Sequence, residues 1–174
     1  MPKLRKMLGD VNAKECLDLM QLIETQSVRT LATWAVGYAK NNYLWIYEDA
    51  AAGDLKPREA VTACEEYLKG HKELKDIKPV IKEAAKLGRE VKDPAAQAAA
   101  RAVATACAAV QTPTSTLGFL FYGAAALAYK TEGLDKSAVF YEGFACAEFK
   151  KALDSLRLVS VPGEKNPAKI RWNC

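Results

Sequence analysis

The chain is poor in the residues that most often perform chemistry. Its one histidine, His71, sits in the loop-like KGHKE with no H-E-x-x-H, His-x-His or Cys-His cluster around it, so neither a histidine metal site nor a histidine acid–base pair is indicated. No G-x-S-x-G element and no glycine-rich phosphate loop occurs, which removes the readable signatures of a serine hydrolase and a nucleotide binder. The five cysteines, Cys16, Cys64, Cys107, Cys146 and Cys174, include no C-x-x-C pair and are odd in number. That argues against a disulfide framework and for thiols in a reducing compartment. Period-two alternation is absent over any convincing length, so strands are not expected.

Long apolar runs are missing as well. In QTPTSTLGFLFYGAAALAY the apolar part extends only from Leu117 to Tyr129, between Thr112, Thr114, Ser115 and Thr116 on one side and Lys130, Thr131 and Glu132 on the other. A transmembrane helix needs about 20 apolar residues, so this run reads as a helix enclosed by other helices. The N-terminal MPKLRKMLGD is basic but is followed by no apolar core and no small-residue cleavage site, unlike a signal peptide. A cytoplasmic protein with no membrane contact is the expectation.

What the chain does have is helix-forming pattern. With 174 residues, 50% hydrophobic and 26% charged, it can bury one substantial core, and one domain is expected. Asp10 or Asn12 could cap a first helix bearing Cys16, Leu17, Leu19, Met20 and Ile23 at helical spacing. Ser27 suits the cap of a second, with Leu31, Trp34, Ala35 and Tyr38 on one face and an irregularity expected at Asn41 and Asn42. DLKPREAV is a helix start, and Gly70 a helix end. Because Pro79 breaks an interior hydrogen bond, the next helix is expected to run from near Lys78 to near Arg89. Asp93-Pro94 opens a helix in which ten of the fifteen residues from Ala95 to Ala109 are alanine. Such a helix forms readily and lets neighbours approach closely. A last long helix is expected after Asp135 or Lys136. The sum is an all-α, single-domain bundle of six to seven helices with an alanine-rich central helix pair. Residues 1–158 form the bundle in this reading, and 159–174 an irregular C-terminal tail.

Charge is unevenly spread. Between Lys69 and Lys92 stand eight cations and four acids, a surplus equal to the net +4 of the whole chain. Lys78, Lys82, Lys86 and Arg89 recur at helical spacing, so the stripe could face solvent or attract an acidic protein. It lacks the interleaved aromatics and arginine richness of a nucleic-acid reader, and no nucleic-acid partner is expected. Close carboxylates such as Glu48, Asp49 and Asp54 lack the Glu-x-x-His companions of bundle metal sites. No metal ligand, cofactor or catalytic residue is assigned.

Several segments together form one pattern: LATWAVGYA, LWIYED, DLKPREAV, EYLKGH, and AARAVATACAAVQTPTSTLGFLFYGAAALAY. This pattern, from about Thr30 to Tyr129, resembles a family of small all-helical bacterial proteins named as immunity proteins from their place beside polymorphic toxin genes. Its sharpest parts are D-x-K/R-P-R-x-A and T-P-T-x-x-L-G-x-x-x-Y-G-A-A-A. The resemblance implies a non-enzymatic protein that binds and occludes a cognate protein toxin, and it leaves a homodimer open. The candidate binding residues are Trp45, Glu48, Asp54, Arg58, Gln111 and Ser115. Relatives look to favour histidines around the T-P-T junction, where this chain has Gln111 and Ser115. Two plainer roles stand beside the binding one: Asp54 as a helix cap and Arg58 as the partner of a nearby carboxylate. A small enzyme or ligand-binding bundle, with a pocket at Gln111, Ser115 and Tyr122, is the alternative from another class.

Overall fold

The computed structural model describes residues 3–173; Cys174 and the first two residues of MPKLRKMLGD lie outside that range. Eight helices follow in order: α1 (Lys14–Ile23), α2 (Val28–Asn42), α3 (Leu44–Ala50), α4 (Lys56–Leu68), α5 (Leu74–Glu90), α6 (Pro94–Ala108), α7 (Ser115–Glu132) and α8 (Ala138–Val159). α2 and α3 share Tyr43 as cap residue, so the pair behaves as one interrupted helix and the chain as seven helical units. The protein is all-α, and no strand occurs among the described residues. No helix among them is long and apolar enough to cross a membrane.

The helix ends follow local chemistry. Ser27 accepts a hydrogen bond from the Thr30 amide and Asp93 from the Ala96 amide, each satisfying one of the donors orphaned at a helix start. At the end of α4, Gly70 takes φ +83°, and the amides of Gly70 and His71 reach back to the Tyr67 and Glu66 carbonyls. That is the Schellman arrangement, which a glycine completes at least cost. Two starts differ from expectation. Asp10 closes a turn with the Asn12 amide at 2.9 Å, and α1 begins a few residues later without a side-chain cap. α5 starts at Leu74, a turn before Lys78, because Glu73 and Asp76 form a reciprocal capping box that holds the first turn despite Pro79.

α6 and α7 pack against each other more extensively than any other helix pair. Their alanines are almost all buried, so the backbones lie close and larger side chains fill the surroundings. One such group is an aromatic cluster. The Trp34 and Phe119 centroids lie 5.5 Å apart, Tyr38 and Tyr43 5.7 Å, and Tyr43 and Phe119 6.1 Å, all edge to face. Tyr43 fills the space left by Gly123 of α7. A Cβ on Gly123 would overlap ring carbons of Tyr43 and come 2.5 Å from its hydroxyl oxygen.

Glu148 of α8 is buried beneath this cluster, 5% exposed, and accepts a hydrogen bond from the Tyr38 hydroxyl at 2.6 Å. Burial lifts its carboxyl above the ordinary value, against the pull of the Tyr38 bond and the Lys151 charge. The Trp34 indole N–H donates to Ser155 Oγ at 2.8 Å. The buried Tyr43 hydroxyl has no hydrogen-bond partner among the described residues. Since an unmade buried bond costs about 1–3 kcal/mol, Tyr43→Phe is expected to stabilise the fold by about 1 kcal/mol. A rise in urea midpoint at constant m-value would show it.

Residues 160–173 contain no helix or strand, yet they are tied down. The Gln26 side chain donates to the Val161 carbonyl and accepts from its amide. Glu164 receives the Ser27 amide and the Thr30 hydroxyl, the Ala168 amide donates to the Gln26 carbonyl, and Trp172 donates to Glu24. The tail therefore straps the α1–α2 junction.

Candidate functional site

Of the aromatic residues crowded into α2 and α3, Trp34, Tyr38, Tyr43 and Tyr47 are buried, whereas Trp45 is 44% exposed. α3 is short, and its buried positions Leu44, Ile46 and Tyr47 face the bundle, which turns Trp45 outward. The exposed ring is held in place. Its N–H donates to the Asn42 carbonyl at 3.0 Å, and Lys130 Nζ, from the end of α7, lies 5.9 Å from the ring centroid while paired with Asp49. A cation over an exposed indole contributes about 0.5–1 kcal/mol.

Glu48, one turn along, meets Arg58 of α4. Arg58 Nε and Nη2 donate to Oε2 and Oε1 of Glu48, each at 2.7 Å, a bidentate pair that holds the Glu48 carboxyl below its usual range. Both side chains are partly solvated. Such pairs stabilise a fold by only about 0.2–1 kcal/mol, so the main effect is to fix the guanidinium and carboxylate in one orientation. Asp54 works inward. Its Oδ2 accepts the Tyr47 hydroxyl at 2.6 Å and its Oδ1 the Lys56 amide at 3.1 Å; the Tyr47 bond is the main reason its carboxyl is lowered. Burial, then Asp54, pushes the Tyr47 phenol upward. Asp54 thus buttresses the α3–α4 corner rather than capping α4 as expected, because the N-cap position falls on Leu55, which makes no side-chain cap bond.

Trp45, Glu48 and Arg58 consequently share the outer side of the α3–α4 corner, with Asp54 behind them. Gln111 and Ser115 stand apart from these four. They line a shallow groove of about 320 Å³ with Lys78, Lys82, Thr105 and the small side chains of Ala104 and Ala108. Tyr122 does not line it, and neither does any carboxylate, so the pocket imagined for the enzyme alternative is not assembled as expected. Lys78, Lys82, Lys86 and Arg89 are all exposed along α5, with Lys86 engaged by Glu83 at 2.8 Å. No group of three or more His, Cys, Asp or Glu among the described residues could hold a metal ion.

Sequence reasoning missed Lys130, whose contacts with Trp45 and Asp49 cross from a distant helix. It also missed the Tyr38–Glu148 pair. Neither has a local signal, because each partner lies far away in the chain.

Comparison with known proteins places these residues in a family. No curated protein and no solved structure matches the chain. A family model described as "Imm-5 like putative immunity protein" matches residues 21–142. That span includes α2 to α7 and all six candidate residues, and covers well over half of the chain. The chain therefore belongs to the Imm-5 like immunity protein family.

Proposed function

We propose that the protein binds a cognate bacterial toxin and neutralises it by direct contact, acting in the cytoplasm and without catalysis. Family membership supports the immunity role, and Trp45 carries the choice of surface. Trp and Arg dominate the energetic centres of protein interfaces. Here an exposed indole is pinned by Asn42 and Lys130, beside an arginine already oriented by Glu48. Side chains fixed before binding lose less entropy on association. Occlusion of the toxin is then a matter of shape and charge: the aromatic anchor contributes affinity, and the net +4 speeds encounter with an acidic surface.

The test begins with the neighbouring open reading frame. Deleting the immunity gene beside an intact toxin gene should poison the cell, and the tagged protein should retain that toxin on a column. Trp45→Ala is expected to weaken the complex by about 2 kcal/mol or more, about a thirtyfold rise in Kd, with little change in melting temperature. Survival of the deletion strain with active toxin would sink the immunity reading. Unchanged affinity of the Trp45 variant would instead move the interface elsewhere.

A further inference from the structure

A second concave surface lies around the end of α7 from Trp45. Residues 3–13 run without helix along the bundle. The Tyr129 hydroxyl donates to the Arg5 carbonyl at 2.6 Å, the Leu8 amide donates to the Phe121 carbonyl at 3.1 Å, and Gly9, at φ +124°, lies so close to Phe149 that a Cβ would overlap its ring. Between this anchored segment and the α7–α8 turn opens a cleft of about 430 Å³. Leu4, Leu8, Tyr129, Leu134 and Tyr141 make it apolar. The two tyrosines pack edge to face at 5.3 Å, and Tyr141 donates to the Gly133 carbonyl at 2.7 Å, which fixes the turn that forms one wall. Leu134 remains 42% exposed, as does 40% of the adjacent Phe140.

The charges at this cleft are lopsided. Lys3, Arg5 and Lys136 line it against the single acid Asp135, and none of the four forms an ion pair among the described residues. We infer that the cleft is a docking site for an acidic protein segment, which buries one apolar side chain on the tyrosine–leucine floor and sets its carboxylates against Lys3, Arg5 and Lys136. A flat bilayer cannot enter a concave site, and a nucleic acid strand carries phosphates but no aliphatic side chain for the floor. Tyr129 lines the cleft while Lys130, the next residue, overlies Trp45, so one partner can span both surfaces. The inference rests on toxin binding only for which protein carries the segment.

The probe is a fluorescein-labelled peptide with a central leucine flanked by glutamates, titrated into the full-length chain at low salt and followed by anisotropy. Saturable binding is expected, weakened about tenfold by Lys136→Glu and reduced at high salt. Lys92→Glu, the same charge change at an exposed position elsewhere, should leave it unchanged. Replacing the peptide leucine by serine should abolish binding, and amide shifts in labelled protein should centre on Leu134 and Tyr141. No saturable binding, equal binding of the serine peptide, or equal loss in both lysine variants overturns the inference. So does capture by anionic vesicles or a single-stranded oligonucleotide that is tighter than the peptide and equally sensitive to Lys136→Glu. The assay contains no toxin, so its failure leaves the toxin-binding test standing and the converse also holds.

Discussion

Gly123→Ala is expected to destabilise the protein by about 3 kcal/mol, at the upper end of the range for overpacking a core, and to lower the melting temperature by on the order of 10 °C. The added methyl has good helix propensity, which by itself would favour the change by up to about 1 kcal/mol. Sterics win because the obstacle is the Tyr43 ring, fully buried and packed edge to face against Tyr38 and Phe119. Removing only the hydroxyl gives no relief, since the methyl also meets ring carbons. A double-mutant cycle checks the mechanism: Gly123→Ala should cost much less when Tyr43 is already alanine. Equal cost in both backgrounds would mean that the ring is not the obstacle. The glycine in the Y-G-A-A-A motif is thus accounted for by its neighbour on another helix.

Tyr38→Phe should cost about 2–3 kcal/mol at neutral pH, the value of a buried hydrogen bond to a charged acceptor, because it strips Glu148 of its hydroxyl donor. The loss should shrink in mild acid. Glu148 has a native pKa above its unfolded value, so between those two values the folded protein holds a proton that the unfolded chain has released. Stability contributed at this site therefore falls as pH rises through that interval, and the full penalty persists above it. Glu48 and Asp54, whose carboxyls are lowered, run the other way and lose stabilisation as pH falls through their native pKa values. The Tyr38 and Tyr43 phenols face Glu148 and are both pushed upward by burial, away from the acid range, while Lys151 sets a positive charge near the carboxyl. Glu148→Gln keeps an acceptor for Tyr38 and removes the charge. It should stabilise the protein at neutral pH and flatten this part of the pH dependence. Urea midpoints for the two variants at neutral pH and about pH 5 decide the matter. A Glu148→Gln variant as unstable as Tyr38→Phe, with the same pH slope as the parent, would refute the buried-carboxylate account.

The parts of the fold legible in the sequence were those specified by neighbours in the chain. Ser27 and Asp93 cap because an oxygen-bearing side chain precedes a helical pattern by the right interval, and Gly70 ends α4 because the reversal needs φ > 0. The start of α5 was obscured by a conflict between two local rules. The break expected from Pro79 pointed to Lys78, whereas the Glu73–Asp76 box prevailed and set Leu74. For the candidate site, the resemblance brought Asp54 and Arg58 forward beside the candidates Trp45 and Glu48, and the structure sorts the four: three face outward and Asp54 supports them from within. Gln111 and Ser115 could not be separated from that group by sequence, because which faces of α4 and the α6–α7 junction adjoin depends on packing between helices far apart in the chain. Glu148 was least visible of all. One acid in an amphipathic helix reads as solvent-facing until its tyrosine partner is placed.

The long reach of the α2 contacts bears on how the chain folds during synthesis. Tyr38 waits for Glu148, 110 residues later, and Trp34 for Ser155, 121 residues later, while Ser27 and Thr30 receive Glu164 from the tail. A ribosome releases α2 long before any of these partners exist. The N-terminal helices therefore emerge with polar atoms that only the last-made helix and strap can satisfy, and such chains remain open to misassociation until synthesis ends. The final few dozen residues, mostly beyond the family match, act as the latch that closes the bundle.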